Sequence, residues 1–293
     1  MSEFNVKPFT GNLSGSVKGL LKNQDLIFFG KSTYYHWTVV LDGHGTDTIK
    51  NVLSEYNWEE IMSTDDPSET VIQLVKNENG KYGYSSGSTM SLMRMYENRV
   101  ETYNIGDSIT AIYKNENLVY RNCPHNKDNL NEIKRLENNT VIFTNTMNTI
   151  PHIASATELH GKYNSYCRFN KFTKLAVTQA LGHNDVTGYC CDKHVEYYEP
   201  SDIIRCVSGS DGFFDMFMFS GDVEEDVEHD KMDILTKTSD ELLEKIENRW
   251  KQKWDYYPDP NNVDFKFDNI EFPSDSYDDI SIIVWDNYKL KNE

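Results

Sequence analysis

Short runs of apolar and β-branched residues recur along this chain, each with an aspartate in the adjoining turn. The clearest is VVLDGHG at residues 39–45, and related segments are NIGDS at 104–108, CVSGSDG at 206–212 and YDDIS at 277–281. Runs of this length and composition are typical of β-strands, and Asp and Gly are typical of the turns beside them. The sequence therefore predicts a fold built on short antiparallel strands that carry carboxylates at their ends.

The spacing of apolar residues between these segments predicts helices as well as strands, hence an α+β fold. The predicted strands are 26–29 and 37–41, which form a hairpin, four runs between 89 and 120, then 203–208 and 280–285. Short polar turns separate the four runs, which predicts an antiparallel meander. The predicted helices are 49–58, 71–75 and 239–254, the last preceded by an acidic loop at 221–230.

The charge of the chain excludes several classes of protein. It has 29 Lys and Arg against 47 Asp and Glu, a formal net charge of −18, so we expect no binding of nucleic acid or anionic membranes. No apolar run is long enough to span a bilayer, and the N-terminus lacks the apolar core of a secretion signal. We therefore expect a cytoplasmic protein that is not secreted and has no transmembrane segment.

Cysteine spacing and chain organisation add two expectations. The five cysteines form no CxxC pair, which argues against a disulfide framework or a zinc site and favours reduced thiols. The sequence shows neither an internal repeat nor a linker rich in Pro, Gly and Ser, so residues 1–293 are expected to form a single domain.

The aspartates at strand ends are candidate ligands for a divalent metal. Rigidly held carboxylates suit hard cations such as Mg²⁺ or Mn²⁺, and an adjacent glycine lets a backbone carbonyl approach the ion. Each Asp-Gly pair, taken alone, is most simply a turn, and His44 alone is most simply a turn histidine. The acidic run after residue 221 is most simply a solvated loop.

The order of these segments resembles the metal-dependent serine/threonine phosphatases of the type 2C class. The resemblance extends from about residue 22 to residue 285. The matching segments are NQD at 23–25, VVLDGHG at 39–45, SGST at 86–89, NIGDS at 104–108, Pro124-His125 with Glu132 and KRL at 134–136, LAVTQALG at 175–182, SDGFFD at 210–215 and DDISIIV at 278–284.

The resemblance implies a fold, a site and an activity. The fold is a central β-sandwich of two antiparallel sheets flanked by α-helices on both sides, in four αββα layers. The implied metal residues are Asp42 bridging two Mn²⁺ or Mg²⁺ ions, the Gly43 carbonyl, Asp211, Asp278, Asp25 in support, and Asp107 at a third, weaker position. His44 would be the general acid. The implied activity is hydrolysis of phosphoserine and phosphothreonine in protein substrates by a metal-activated water, without a covalent intermediate, by a single catalytic domain expected to be a monomer.

The sequence departs from the family pattern at several positions. Leu20 stands where the family has a phosphate-binding arginine, with Lys18 and Lys22 out of register, and Gln179 replaces a second arginine. His183 replaces an aspartate and Asp279 an asparagine. Leu20 and Gln179 favour an alternative, a pseudophosphatase that binds a phosphoprotein without turnover. A metallohydrolase of another kind, on an unrelated fold, is the third hypothesis.

Overall fold

The computed structural model describes residues 9–78, 83–137, 141–153, 155–217, 224–258 and 264–287. The strands are β1 (Asn12–Lys18), β2 (Leu26–Lys31), β3 (Tyr35–Leu41), β4 (Gly43–Gly45), β5 (Ser86–Ser88), β6 (Met90–Tyr96), β7 (Arg99–Ile105), β8 (Ile109–Lys114), β9 (Asn117–Arg121), β10 (Ile142–Ile153), β11 (Glu158–Arg168), β12 (Lys174–Leu175), β13 (Leu181–Gly182), β14 (Asp192–Tyr197), β15 (Ile204–Gly209), β16 (Lys253–Tyr257), β17 (Phe267–Glu271) and β18 (Ile280–Asp286). The helices are α1 (Thr48–Ser54), α2 (Trp58–Met62), α3 (Pro67–Asn77), α4 (Leu130–Leu136), α5 (Asp211–Phe214), α6 (Glu224–Thr236) and α7 (Ser239–Lys251). Within these ranges, every helix is too short or too polar to cross a bilayer.

Two five-stranded antiparallel sheets form the centre of the molecule. Their strand orders are β1-β18-β15-β8-β9 and β14-β7-β6-β3-β2. The inner faces pack against each other, where Met93 from one sheet shares an apolar cluster with Ile112 and Trp285 from the other. Ser91 and Ser208 also form a hydrogen bond of 2.9 Å between the sheets. Buried polar groups paired in this way fix how the two sheets face one another.

Helices cover both outer faces of the sandwich. One apolar cluster joins Leu53 of α1, Ile61 of α2 and Val71 of α3 to strands β3 and β6. A second cluster joins Leu242 and Ile246 of α7 to strands β15 and β18. The helices bury the apolar side that their periodicity marks, and the central strands β3, β6 and β15 bury both of their faces. The expected four-layer αββα sandwich is confirmed.

The predicted meander between residues 89 and 120 is wrong as a single unit. Strands β6 and β7 pair in one sheet, whereas β8 and β9 pair in the other. The chain changes sheets at Gly106, whose φ of +96° is strained for any residue with a side chain. A Cβ at this position would also lie 2.6 Å from the Thr89 Cγ2 atom. The crossover places Asp107 at one end of the sandwich, between the two sheets.

Three other expectations also need correction. The acidic loop predicted at 221–230 is helical from residue 224, where α6 begins, and residues 221–223 lie outside the described part of the chain. Helix α7 ends at Lys251, because β16 begins two residues later. Three helices follow the first hairpin instead of two, because the Asn57 side chain accepts a hydrogen bond from the Glu60 N–H and starts α2 separately.

Candidate active site

A cavity of about 450 Å³ opens at one end of the sandwich. Asp42 lies directly after β3, Asp107 at the crossover between the sheets, and Asp211 two residues after β15. One carboxylate oxygen from each of the three lies within 4.8 Å of the other two. Asp278, just before β18, lines the same cavity. Four separate segments of the sequence thus place carboxylates around one space.

The backbone around Asp42 is held by the segment that contains Thr89. The Asp42 N–H donates to the Thr89 hydroxyl at 3.1 Å, and the Thr89 N–H donates to the Asp42 carbonyl at 2.9 Å. The Thr89 hydroxyl also lies 2.6 Å from the Ser108 hydroxyl, next to Asp107. These bonds fix two of the carboxylates relative to each other, as a metal site requires.

Burial and mutual repulsion raise the pKa values of the aspartates in the cavity. Burial raises the pKa of Asp42 and of Asp107 well above the usual range, and the charge of Asp211 raises both further. Burial and the charge of Asp211 also raise the pKa of Asp278 to about 8. Carboxylates this close cannot all ionise unless a cation offsets their repulsion. An oxygen donor set of this kind fits hard divalent cations such as Mg²⁺ and Mn²⁺.

Asp25 lies behind the cavity. Its side chain is buried, and it is absent from the described residues that line the cavity. Burial raises the pKa of Asp25 to about 7, and the charge of Asp211 acts in the same direction. Asp25 therefore belongs to the same group of interacting carboxylates without facing the open space.

Asp279 organises the loop that precedes β2. Its carboxylate accepts backbone N–H groups from Leu20 at 2.9 Å, Leu21 at 3.1 Å and Gln24 at 2.6 Å. Burial alone would raise the pKa of Asp279, but these hydrogen bonds hold it below its usual value. The loop that Asp279 holds carries Lys22 to the rim of the cavity. From sequence, Asp279 was only a departure from the family pattern, and its role in holding this loop was not predicted.

Two lysines supply the positive charge at the cavity. Lys22 and Lys174 line it, and its described lining residues include no arginine. Lys18 instead lies 3.4 Å from Glu247, on the surface. The Leu20 side chain packs against the apolar cluster under α7. Of the two lysines considered from sequence, Lys22 is the one placed at the site.

His44 lies on the short strand β4 and lines the cavity. Its ring stacks on that of His183, with the ring centroids 4.9 Å apart and the planes inclined by 26°. Burial, with a smaller contribution from the neighbouring His183, lowers the pKa of His44 to about 3. Without a bound anion, His44 is therefore neutral at pH 7.

Known proteins match this chain in structure but not in sequence. No protein-family model matches the chain, and no curated protein matches its sequence. Solved structures do match it. A sex determining protein of C. elegans superposes with a TM-score of 0.58 and 16% identity, over 95% of this chain and 65% of that one. The serine/threonine phosphatase PstP/Ppp of Mycobacterium tuberculosis gives 0.51 and 13%, over 94% and 98%. The serine-threonine phosphatase 2C of Toxoplasma gondii gives 0.50 and 14%, over 95% and 96%.

The chain has the type 2C phosphatase fold. The resemblance inferred from the order of the motifs is thus confirmed at the level of structure, although sequence identity is low. Within this fold, the departures noted from sequence have separate structural explanations.

Gln179, which replaces a family arginine, is buried away from the cavity. Its side-chain amide donates to Glu132 at 2.8 Å, and its amide oxygen accepts the Cys190 N–H at 2.7 Å. Glu132 also binds Arg135 and the Thr178 hydroxyl. Gln179 therefore belongs to a buried network whose polar groups are hydrogen-bonded to one another. Its side chain is not among those of the described residues that line the cavity.

An aromatic wall on one side of the cavity was not predicted. The rings of Tyr84 and Phe172 stack with centroids 5.7 Å apart, and the Lys174 Nζ atom lies 4.1 Å from the centre of the Tyr166 ring. All four residues line the cavity. Tyr84 and Phe172 lie in irregular segments, Tyr166 near the end of β11 and Lys174 on the two-residue strand β12. No apolar period marks these positions, so the wall could not be predicted from sequence.

Proposed function

We propose that the chain is a single-domain phosphatase, dependent on Mn²⁺ or Mg²⁺, that hydrolyses phosphoserine and phosphothreonine in proteins. The observation that carries this proposal is the approach of the Asp42, Asp107 and Asp211 carboxylates to within 4.8 Å in a cavity of a type 2C phosphatase fold. Such a grouping of carboxylates is electrostatically unfavourable in the absence of cations. Binding of divalent cations would offset the repulsion, which favours a metal site.

The residues that would hold the metal are those at the end of the sandwich. Asp42, Asp211, Asp278 and the carbonyl of Gly43 would hold two ions, and Asp107 would add a third, weaker position. Asp25 would support them from behind. When bound, the cations activate water and offset the negative charge of a phosphate monoester.

The chain's own residues have two tasks in this proposal. Lys22 binds the phosphate at the rim of the cavity as a point charge. Water attacks phosphorus, the bond from phosphorus to the serine or threonine oxygen breaks, and His44 gives that oxygen a proton; the proton that the attacking water loses restores His44. Because burial holds the pKa of His44 near 3, the dianionic phosphate itself provides the negative charge that lets His44 take up this proton.

Turnover of a phosphothreonine peptide and of para-nitrophenyl phosphate tests the proposal directly. We expect hydrolysis of both with Mn²⁺ or Mg²⁺, and none after chelation with EDTA. A folded protein that hydrolyses neither substrate, yet captures a defined phosphoprotein, would instead be the pseudophosphatase. Cleavage of other esters without any cleavage of phosphomonoesters would contradict both.

Replacing Lys22 by Met is expected to weaken substrate binding while keeping the aliphatic stem. With the charge lost, KM for the phosphothreonine peptide should rise by about tenfold, as for a lost hydrogen bond to a charged group. Steady-state kinetics measures this change. Lys18→Met is the matched control, because Lys18 pairs with Glu247 on the surface and should leave KM unchanged. Equal KM values in the two variants would remove Lys22 from the phosphate site.

A further inference from the structure

His183 and His44 approach each other across a small three-stranded sheet. In this sheet β5 lies between β4 and β13, and Gly87 of β5 is opposite both His44 and Gly182. His183 follows Gly182 directly and has only 2% of its surface exposed. The sheet therefore brings together two rings that are 139 positions apart in sequence.

Both imidazoles point one nitrogen at the same small gap. A Cβ built on Gly87 would lie 2.1 Å from the His183 Nε2 atom and 2.8 Å from the His44 Nε2 atom. Neither nitrogen has a hydrogen-bond partner among the described residues. The missing side chain at Gly87 is thus what leaves room for the two rings to stack.

The backbone anchors the His183 ring. Its Nδ1 atom lies 2.7 Å from the Tyr84 carbonyl, and because a carbonyl can only accept, Nδ1 carries the hydrogen. The residues from His183 to Asp185 have φ values of +50°, +50° and +57°, a strained left-handed turn. Strain of this kind persists only where the surroundings fix the conformation, and it concentrates at functional sites.

We propose that His183 is a positioning residue, whose anchored ring holds the ring of His44 in the orientation needed to give a proton to the leaving serine or threonine oxygen. This inference rests on the proposed phosphatase function. A general acid is effective only within hydrogen-bond reach and in the correct direction. His44 lies between two glycines on a three-residue strand, so besides a backbone hydrogen bond with Asp42, its neighbours on the strand offer no side chain to hold its ring.

Two substrates with different leaving groups separate positioning from a structural role. The threonine alkoxide requires a proton as it leaves, whereas para-nitrophenolate is stable without one. In His183→Ala we expect the ratio of kcat for the phosphothreonine peptide to kcat for para-nitrophenyl phosphate to fall by at least about tenfold, with KM unchanged. His183→Phe retains a stacking ring and should restore part of the ratio. Gly87→Ala, which displaces both rings without removing either, should lower it as well.

His194 provides the matched control. Its ring also stacks on an aromatic neighbour, Tyr120, with centroids 3.8 Å apart, and it is not among the residues that line the cavity. His194→Ala should leave the ratio of the two substrates as it is in the native protein. A ratio that stays unchanged in His183→Ala, whether both activities fall equally or neither falls, would overturn the inference.

Ring resonances of ¹⁵N-labelled histidine give a readout that does not depend on turnover. In the metal-free native protein we expect one sharp set of signals for His44, and doubled or exchange-broadened signals in His183→Ala. Unchanged His44 signals would overturn the inference. If the native protein hydrolysed neither substrate, the proposed function would fail, and these spectra alone would decide whether His183 holds His44.

Discussion

The Asp42→Asn variant is expected to lose cation-dependent hydrolysis of the phosphothreonine peptide by roughly a hundredfold or more, since it removes a charged group central to the site. Asp42 stands at the centre of the cavity electrostatics, because the charges of Asp211, Asp25 and Asp278 all raise its pKa. An amide keeps the size of the carboxylate and removes its charge. The loss should therefore appear in kcat and in the cation concentration that gives half activity.

The fold of this variant should stay intact. Removing one of several converging carboxylates relieves repulsion, so the metal-free variant should melt no lower than the native metal-free protein. Asp275→Asn is the matched control, since Asp275 is an exposed aspartate three residues before Asp278. Full activity in Asp42→Asn, measured beside this control, would refute the assignment of the metal site.

The metal-free protein is expected to become less stable as the pH rises from 6.5 to 8. The folded-state pKa is about 7 for Asp25 and about 8 for Asp278, and it is well above the usual range for Asp42 and Asp107. The folded state therefore binds more protons than the unfolded state, so the free energy of unfolding falls as pH rises. The slope is about 1.4 kcal/mol per pH unit for each carboxyl still protonated in the folded protein.

Between pH 6.5 and 8 the change in stability comes from the carboxylates, with little contribution from the buried histidines. Burial lowers the pKa of His44 to about 3 and that of His36 to about 4, so both histidines remove stability only as the pH falls below 6.5. Thermal melts in EDTA should show Tm falling by roughly 5 °C across the range. Saturating Mn²⁺ should raise Tm and should abolish or reverse the slope. A slope that Mn²⁺ does not alter would contradict a metal site made of these residues.

Much of the fold follows from local pattern. The hairpin of β2 and β3, the strands β15 and β18 and the helix α7 were each predicted within a few residues. In each case apolar spacing marks the element, and a turn or cap residue ends it. Thr238 and Glu241, for example, form a reciprocal capping box at the start of α7.

The residues of the candidate site were predicted from sequence, but their positions relative to one another were not. The aspartates at strand ends were identified because carboxylates beside turn glycines suit divalent cations, and the order of eight short motifs indicated the family. The structure places Asp42, Asp107, Asp211 and Asp278 around one cavity and Asp25 behind it. The role of Asp279 in holding the Lys22 loop was missed, because its partners are backbone N–H groups some 255 to 259 positions away.

The sequence by itself determined where the hairpin of β2 and β3, the strands β15 and β18 and the helix α7 lie and which residue types end them, since these depend on contacts a few positions apart. Only the tertiary structure decided which sheet each strand joins, that Gly106 carries Asp107 to the cavity, and that His183 stacks on His44. It also placed Gln179 in a buried network away from the cavity. A period of two residues shows that a strand has two faces, but the partner of each face is set by packing and hydrogen bonds between distant segments.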